Sequence, residues 1–123
     1  MKSQKQFILD TLLPYKEDPT TCAIDGDSCV YLTEDGRKCA VGKHMKKGRW
    51  QEVITDVIGI NREFGIEKVL KKSALKQGFT IKQWELIQRY HDKCADYSHI
   101  EVMNFRVELL EESLNIDLTE LKF

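Results

Sequence analysis

Two residues of the chain have the chemistry of a nucleophile and its base. Cys39 opens the stretch Cys-Ala-Val-Gly, and His91 lies far downstream. A thiolate forms when a nearby histidine takes the proton, and free backbone N–H groups at a turn lower the thiol pKa. These residues support the hypothesis of a hydrolase or transferase with Cys39 as nucleophile and His91 as base. Asp92 is not expected to orient His91, since consecutive helical residues point about 100° apart.

His91 also belongs to two non-catalytic hypotheses. His91 and Cys94 are one helical turn apart, and Cys29 with Cys39 would complete a Cys3His zinc site. However, zinc modules usually carry C-x2-C pairs, which this chain lacks. The simpler interpretation is a core histidine that bonds a backbone carbonyl. We therefore expect no cofactor, with zinc as the alternative.

A basic stretch offers a third kind of chemistry. His44 lies among lysines and Arg49 in Gly-Lys-His-Met-Lys-Lys-Gly-Arg, and Trp50 follows directly. Cationic side chains can contact a phosphate and an indole can stack on a ring. We predict His44, Arg49 and Trp50 as ligand-binding residues, against the simpler interpretation of a solvated loop.

The elements that would position these residues begin with a predicted β-hairpin over Cys29–Gly42. Val30 to Leu32 favour a strand, and Glu-Asp-Gly at 34–36 provides a turn in which Gly36 adopts positive φ. A three-residue loop places Tyr31 opposite Cys39 and both cysteines on one face. A two-residue loop places the cysteines on opposite faces, and the sequence leaves both registers open.

The first half of the chain also predicts helices. Ser3 can cap a helix that ends at Leu13, where Pro14 stops it, and a loop follows at residues 15–28. Residues 48–65 are ambiguous between helix and strand. Residues 66–77 favour a single helix ended by Gly78.

Two capping boxes predict the late helices. Thr80 with Gln83 indicates a helix over Ile81–Asp96, whose inward face carries Ile81, Trp84, Ile87, His91 and Cys94. Ser98 with Glu101 indicates a second helix to about Leu114. We expect its inward face to carry Val102, Phe105, Leu109 and Leu110, and the apolar tail to dock.

Bulk properties set the class of protein. The 123 residues suit one domain over 1–123, and the net charge of −1 gives no reason to expect a nucleic-acid partner. No segment approaches a signal peptide or membrane span, so we expect a cytoplasmic protein whose four cysteines are thiols. The predicted fold class is α+β, a mostly helical single domain with one small β-hairpin or sheet.

Two segments, Cys29–Gly42 and Leu86–Asp92, resemble small uncharacterised phage and prophage proteins. The shared pattern is Cys-x-Tyr, Gly-x-x-Cys-Ala-x-Gly and a later Leu-x-x-x-His-Asp. The resemblance implies a phage context and joins Cys29, Tyr31, Cys39 and His91 into one constellation, which adds Tyr31 to the ligand-binding residues. The predicted function is a non-catalytic accessory protein that sequesters or blocks a host factor, a phage protein or a small ligand.

Overall fold

The computed structural model describes residues 2–25, 28–53, 55–94 and 100–123. These ranges contain the helices α1 (Gln4–Glu17), α2 (Val57–Phe64), α3 (Ile66–Val69), α4 (Lys72–Leu75), α5 (Ile81–Cys94) and α6 (Ile100–Leu114). Short 3-10 turns lie at Pro19–Thr21, Gly42–His44, Arg49–Glu52 and Thr119–Leu121. The core is formed around α5, which packs against α1, α2 and α6.

The predicted α+β class is wrong, because the chain forms a helical domain. Within the described residues, strand pairing is confined to the two-residue segments β1 (Ile24–Asp25) and β2 (Ser28–Cys29), which are too short to build a sheet layer.

The hairpin predicted over Cys29–Gly42 is reduced to a turn. Leu32 and Lys38 form a single antiparallel bridge, and Gly36 adopts a φ of 93° between them. The Cys39 N–H donates to the Tyr31 carbonyl at 3.2 Å, as the three-residue loop requires. Beyond Cys39 the chain curls into the 3-10 turn instead of extending. Gly42 permits this, since a Cβ there would lie 2.2 Å from the Tyr31 carbonyl oxygen.

Helix α1 begins as predicted and ends later. The Ser3 hydroxyl accepts from the Gln6 N–H at 3.1 Å, so Ser3 is the N-cap. Pro14 lies inside the helix, which continues to Glu17. A proline removes one helical hydrogen bond, and the next residue offsets that loss: Tyr15 is buried and its hydroxyl donates to the Lys38 carbonyl at 2.5 Å. The predicted loop at 15–28 is correspondingly shorter.

The single helix predicted over residues 66–77 is broken at Leu70. Leu70 is extended and pairs with Met45 in an antiparallel bridge. The Lys46 N–H donates to the Val69 carbonyl and the Lys71 N–H to the His44 carbonyl, both at 2.8 Å. These two hydrogen bonds take the place of hydrogen bonds within a continuous helix. They join the Gly42–His44 turn to the connection between α3 and α4.

The capping box of α5 is confirmed. The Gln83 N–H donates to the Thr80 hydroxyl at 3.1 Å, and the Thr80 N–H donates to the Gln83 side chain at 2.9 Å. Trp84, Ile87, His91 and Cys94 are buried, as the helical spacing predicts. The predicted continuation of this helix to Asp96, like the Ser98 capping box, lies outside the described residues.

Helix α6 ends at Leu114 as predicted, but its inward face differs. Met103, Val107 and Leu110 are buried, whereas Val102 and Phe105 are exposed. Leu110 was predicted correctly, but the buried stripe runs through Met103 and Val107 instead of Val102 and Phe105 and is therefore rotated around the helix. The tail docks through Leu118 and Leu121, which are both buried.

Candidate functional site

A cleft lies between the start of α1, the Gly42–His44 turn and α4. Its volume is about 950 Å³, and it is lined by Lys2, Phe7, Asp10, Thr11, Lys43, His44, Ser73, Lys76 and Gln77. We call it the lysine cleft. Two hydrogen bonds join its walls: Gln4 Nε2 donates to the Gln77 carbonyl at 2.7 Å, and Gln77 Nε2 donates to the Lys2 carbonyl at 3.1 Å.

His44 is held in the lysine cleft in one tautomer. The Thr11 hydroxyl donates to the Phe7 carbonyl at 2.8 Å, so its oxygen accepts from His44 Nε2–H at 2.9 Å. The proton on Nε2 leaves Nδ1 as an acceptor. Burial and the positive charges of Lys43, Lys71 and Lys2 lower the pKa of His44 to about 4, so the ring is neutral at pH 7.

Three lysines and one aspartate give the lysine cleft a positive balance. Lys2 pairs with Asp10 at 2.5 Å. Lys43 donates to the Thr11 carbonyl at 2.9 Å and lies 4.0 Å from the centre of the Tyr15 ring, and burial lowers the pKa of this lysine. Lys76 is exposed and has no ion pair with any of the described residues. Lys43 and Lys76 thus form no ion pair with a carboxylate of the described residues.

The predicted nucleophile, Cys39, is fully buried away from this cleft. Its sulfur accepts from the Gly42 N–H at 3.1 Å. Burial raises the pKa of the Cys39 thiol to about 12, so the group is protonated at neutral pH. The turn therefore provides the N–H donor that the sequence predicts, but desolvation outweighs its effect on the thiol.

The predicted base, His91, is buried with both ring nitrogens engaged. Nε2 accepts from the Ala23 N–H at 3.0 Å, and Nδ1 is 2.9 Å from Asp92 Oδ1, to which it donates. The expectation that Asp92 does not orient His91 is wrong, because Asp92 Oδ1 lies within hydrogen-bond distance of the ring of its neighbour. Gln88 joins this pair to the Cys39–Gly42 turn, as it donates to Asp92 at 2.8 Å and accepts from the Val41 N–H at 3.0 Å.

The residues of the zinc hypothesis occupy different surroundings. Cys29 is exposed, while Cys39 and Cys94 are buried. Within the described ranges, no group of three or more His, Cys, Asp or Glu side chains is arranged to hold a metal ion. Cys29, Cys39, His91 and Cys94 are therefore not gathered into one such group.

The four predicted ligand-binding residues are also separated. His44 lines the lysine cleft, whereas the buried Tyr31 donates its hydroxyl to the Thr55 carbonyl at 2.7 Å. Trp50 donates to the Lys46 carbonyl at 2.8 Å, and Arg49 lines a different surface hollow. Sequence reasoning missed Lys2, Thr11 and Lys76, which no local motif could have connected to His44.

Comparison of the chain with protein-family models, with curated proteins and with solved structures found no match. Among the described helices, none combines the length and the apolar character that crossing a bilayer requires.

Proposed function

We propose that this protein is a non-catalytic binding protein that sequesters a small anionic ligand in the lysine cleft. The observation that carries the proposal is the cleft itself, which is lined by the apolar ring of Phe7 and by Lys43 and Lys76, two lysines that form no ion pair with the described residues. A concave site that is largely preformed and holds a few convergent polar groups is the usual setting for small-molecule binding. Its volume of about 950 Å³ accommodates a ligand larger than an inorganic ion.

The charges favour an anion. Lys43 is partly buried and its described partners are a carbonyl oxygen and an aromatic ring, neither of which carries a full negative charge. An anionic group near Lys43 and Lys76 would form charge-assisted hydrogen bonds in a partly desolvated site, where such bonds are strong.

The floor of the cleft favours a ligand that also has a ring. Phe7 and His44 pack with ring centroids 4.4 Å apart and an interplanar angle of 31°. Thr11, Ser73 and Gln77 add hydrogen-bonding groups at the rim. An aromatic phosphate or carboxylate would use both the basic and the apolar parts of this site.

Other features support binding rather than catalysis. The hypothesis of a Cys39–His91 hydrolase needs a thiol that loses its proton and an imidazole nitrogen that is free to accept it. The burial of Cys39 and the hydrogen bonds of His91 oppose both requirements. A cytoplasmic, phage-type accessory role agrees with the free cysteines and with the resemblance of Cys29–Gly42 and Leu86–Asp92 to phage proteins.

The test is a calorimetric titration of the protein with phenyl phosphate, compared with inorganic phosphate and with neutral benzyl alcohol. We expect phenyl phosphate to bind more tightly than either control, since only this probe carries both the ring and the charge. If phenyl phosphate gives no binding, or binds no better than benzyl alcohol, the proposal is wrong.

A matched pair of variants locates the binding. Lys76→Ala removes a lysine of the lysine cleft, whereas Lys47→Ala removes an exposed lysine that lines another hollow. We expect Lys76→Ala to weaken phenyl phosphate binding by about tenfold, the loss of one charge-assisted contact. Lys47→Ala should leave it unchanged. Equal effects of the two substitutions would contradict the proposed location.

A further inference from the structure

A second cavity lies between β2, residues 55–57 and α5. Its volume is about 150 Å³, and its lining includes Tyr31, Thr55, Asp56, Glu85, Gln88, Arg89 and Asp92. We call it the Glu85 cavity. It shares no lining residue with the lysine cleft and plays no part in the function proposed above.

Glu85 is the unusual residue of this cavity. Its side chain is only 7% exposed, and one carboxylate oxygen, Oε1, accepts from the Arg89 guanidinium. The other oxygen, Oε2, is buried and has no hydrogen-bond partner among the described residues. Leaving a buried carboxylate oxygen without a donor is costly, so a donor at this position would be bound favourably.

The neighbouring carboxylates already accept hydrogen bonds. Asp92 Oδ1 accepts from Gln88 at 2.8 Å and from His91 at 2.9 Å. Asp56 Oδ1 accepts from the Gly59 N–H at 2.7 Å and caps α2. Three carboxylates and one cationic residue, Arg89, line the cavity, so it favours a positive ligand. Glu85 Oε2 is the buried carboxylate oxygen that has no hydrogen-bond partner among the described residues.

The volume and the geometry narrow the class of cation. A water molecule takes up about 30 Å³ of the liquid, so 150 Å³ suits a group of a few heavy atoms. The described residues provide no cluster of three ligands for a metal ion. An ammonium group instead donates directed N–H bonds, and a single carboxylate oxygen can anchor it.

We propose that the Glu85 cavity binds a small primary amine, whose ammonium group donates a hydrogen bond to Glu85 Oε2. This site is separate from the lysine cleft, so an experiment can refute one of the two binding proposals and leave the other standing.

The first experiment is an NMR titration of the unmodified protein with methylammonium chloride, against tetramethylammonium chloride at equal ionic strength. Both cations carry one charge, but tetramethylammonium has no N–H donor. We expect methylammonium to shift the backbone amide signals around Thr55 and Glu85, and tetramethylammonium to leave them unchanged. Equal shifts by the two cations, or shifts confined to other regions, would overturn the proposal.

A substitution then tests the anchoring group. Glu85→Gln keeps the shape and removes the charge, and we expect it to weaken methylammonium binding by about tenfold or more. Glu112→Gln makes the same chemical change at an exposed position of α6 and should have no effect. Unchanged affinity in a folded Glu85→Gln variant would refute the proposal. If that variant does not fold, the comparison of methylammonium with tetramethylammonium on the unmodified protein still tests the proposal.

Discussion

At the scale of single residues, burial determines what the chemically active side chains can do. Cys39 and His91 are the residues that a sequence analysis selects for catalysis, and both are completely buried. The N–H groups that could activate Cys39 are present, yet desolvation keeps the thiol protonated. His91 instead accepts a hydrogen bond from the Ala23 N–H and so joins α5 to that backbone, while the Cys39 sulfur accepts from the Gly42 N–H within its own turn.

Thiol labelling tests this account of the cysteines. Cys29 is the exposed cysteine, whereas Cys22, Cys39 and Cys94 are buried. We expect iodoacetamide to modify Cys29 first in the folded protein. The reaction should be slow, because partial desolvation of the sulfur and the nearby Asp92 raise the pKa of this thiol to about 12, although the residue as a whole is exposed. Mass spectrometry of peptides at timed intervals measures the order, with a sample in denaturant as the control in which all four react. Faster labelling of Cys39 in the folded state would restore the nucleophile hypothesis.

His44 makes stability depend on pH. Its pKa is lowered from 6.5 to about 4 on folding, so the unfolded chain binds the proton more readily between these values. The stabilisation is therefore complete above pH 6.5 and is lost as the pH falls toward 4. From pH 7 to pH 4 we expect this group alone to remove roughly 2–3 kcal/mol from the free energy of unfolding.

The matched variant for this prediction is His44→Gln, which retains an N–H donor for Thr11 but does not titrate. Urea unfolding at several pH values should show a smaller acid-induced loss of stability in the variant than in the original protein. Parallel losses in both proteins would mean that His44 is not desolvated as described.

At the scale of elements, the lysine cleft depends on how two irregular segments meet. The Gly42–His44 turn and the α3–α4 connection are joined by the Met45–Leu70 bridge, which places the His44 backbone next to α4. The turn itself requires a glycine, since the Tyr31 carbonyl lies against Gly42. A longer hairpin or an unbroken helix over residues 66–77 would remove this arrangement.

A pair of glycine substitutions tests the turn. Gly42→Ala would place a Cβ against the backbone of Tyr31, which cannot move without the core, and we expect it to lower the free energy of unfolding by about 3 kcal/mol or more. Gly36→Ala meets no atom within 4 Å and should cost only about 1 kcal/mol, the strain of its positive φ. Denaturant unfolding of both variants measures the difference, and a larger loss from Gly36→Ala would contradict this packing.

At the scale of the whole molecule, the helical domain carries two separate cavities of opposite charge. The lysine cleft is formed by α1, α4 and the Gly42–His44 turn, whereas the Glu85 cavity is formed by β2, α5 and the segment before α2. Helix α5 supplies two of the three acidic residues of the second cavity, Glu85 and Asp92, and none of the lining residues of the first.

This separation predicts that the two ligands bind without competition. The affinity for phenyl phosphate should be unchanged when methylammonium is present in excess, and Glu85→Gln should leave it unchanged. Calorimetric titration with and without methylammonium measures this. A change in phenyl phosphate affinity beyond the effect of added salt would mean that the two cavities are coupled.

The sequence by itself determined the features that depend on neighbours a few residues apart. The Ser3 cap, the Thr80–Gln83 capping box and the buried face of α5 were all predictable, because helix caps and helical periodicity are local interactions.

Only the tertiary structure decided the features that join distant segments. Thr11 and His44 are 33 positions apart, and Lys2 and Gln77 are 75 apart. Strand pairing also depends on tertiary context, and more strongly than helix capping does. This is why the segment predicted as a hairpin forms only a turn with a single bridge. The lysine cleft depends on such long-range contacts, and its position could be found only after the chain had folded.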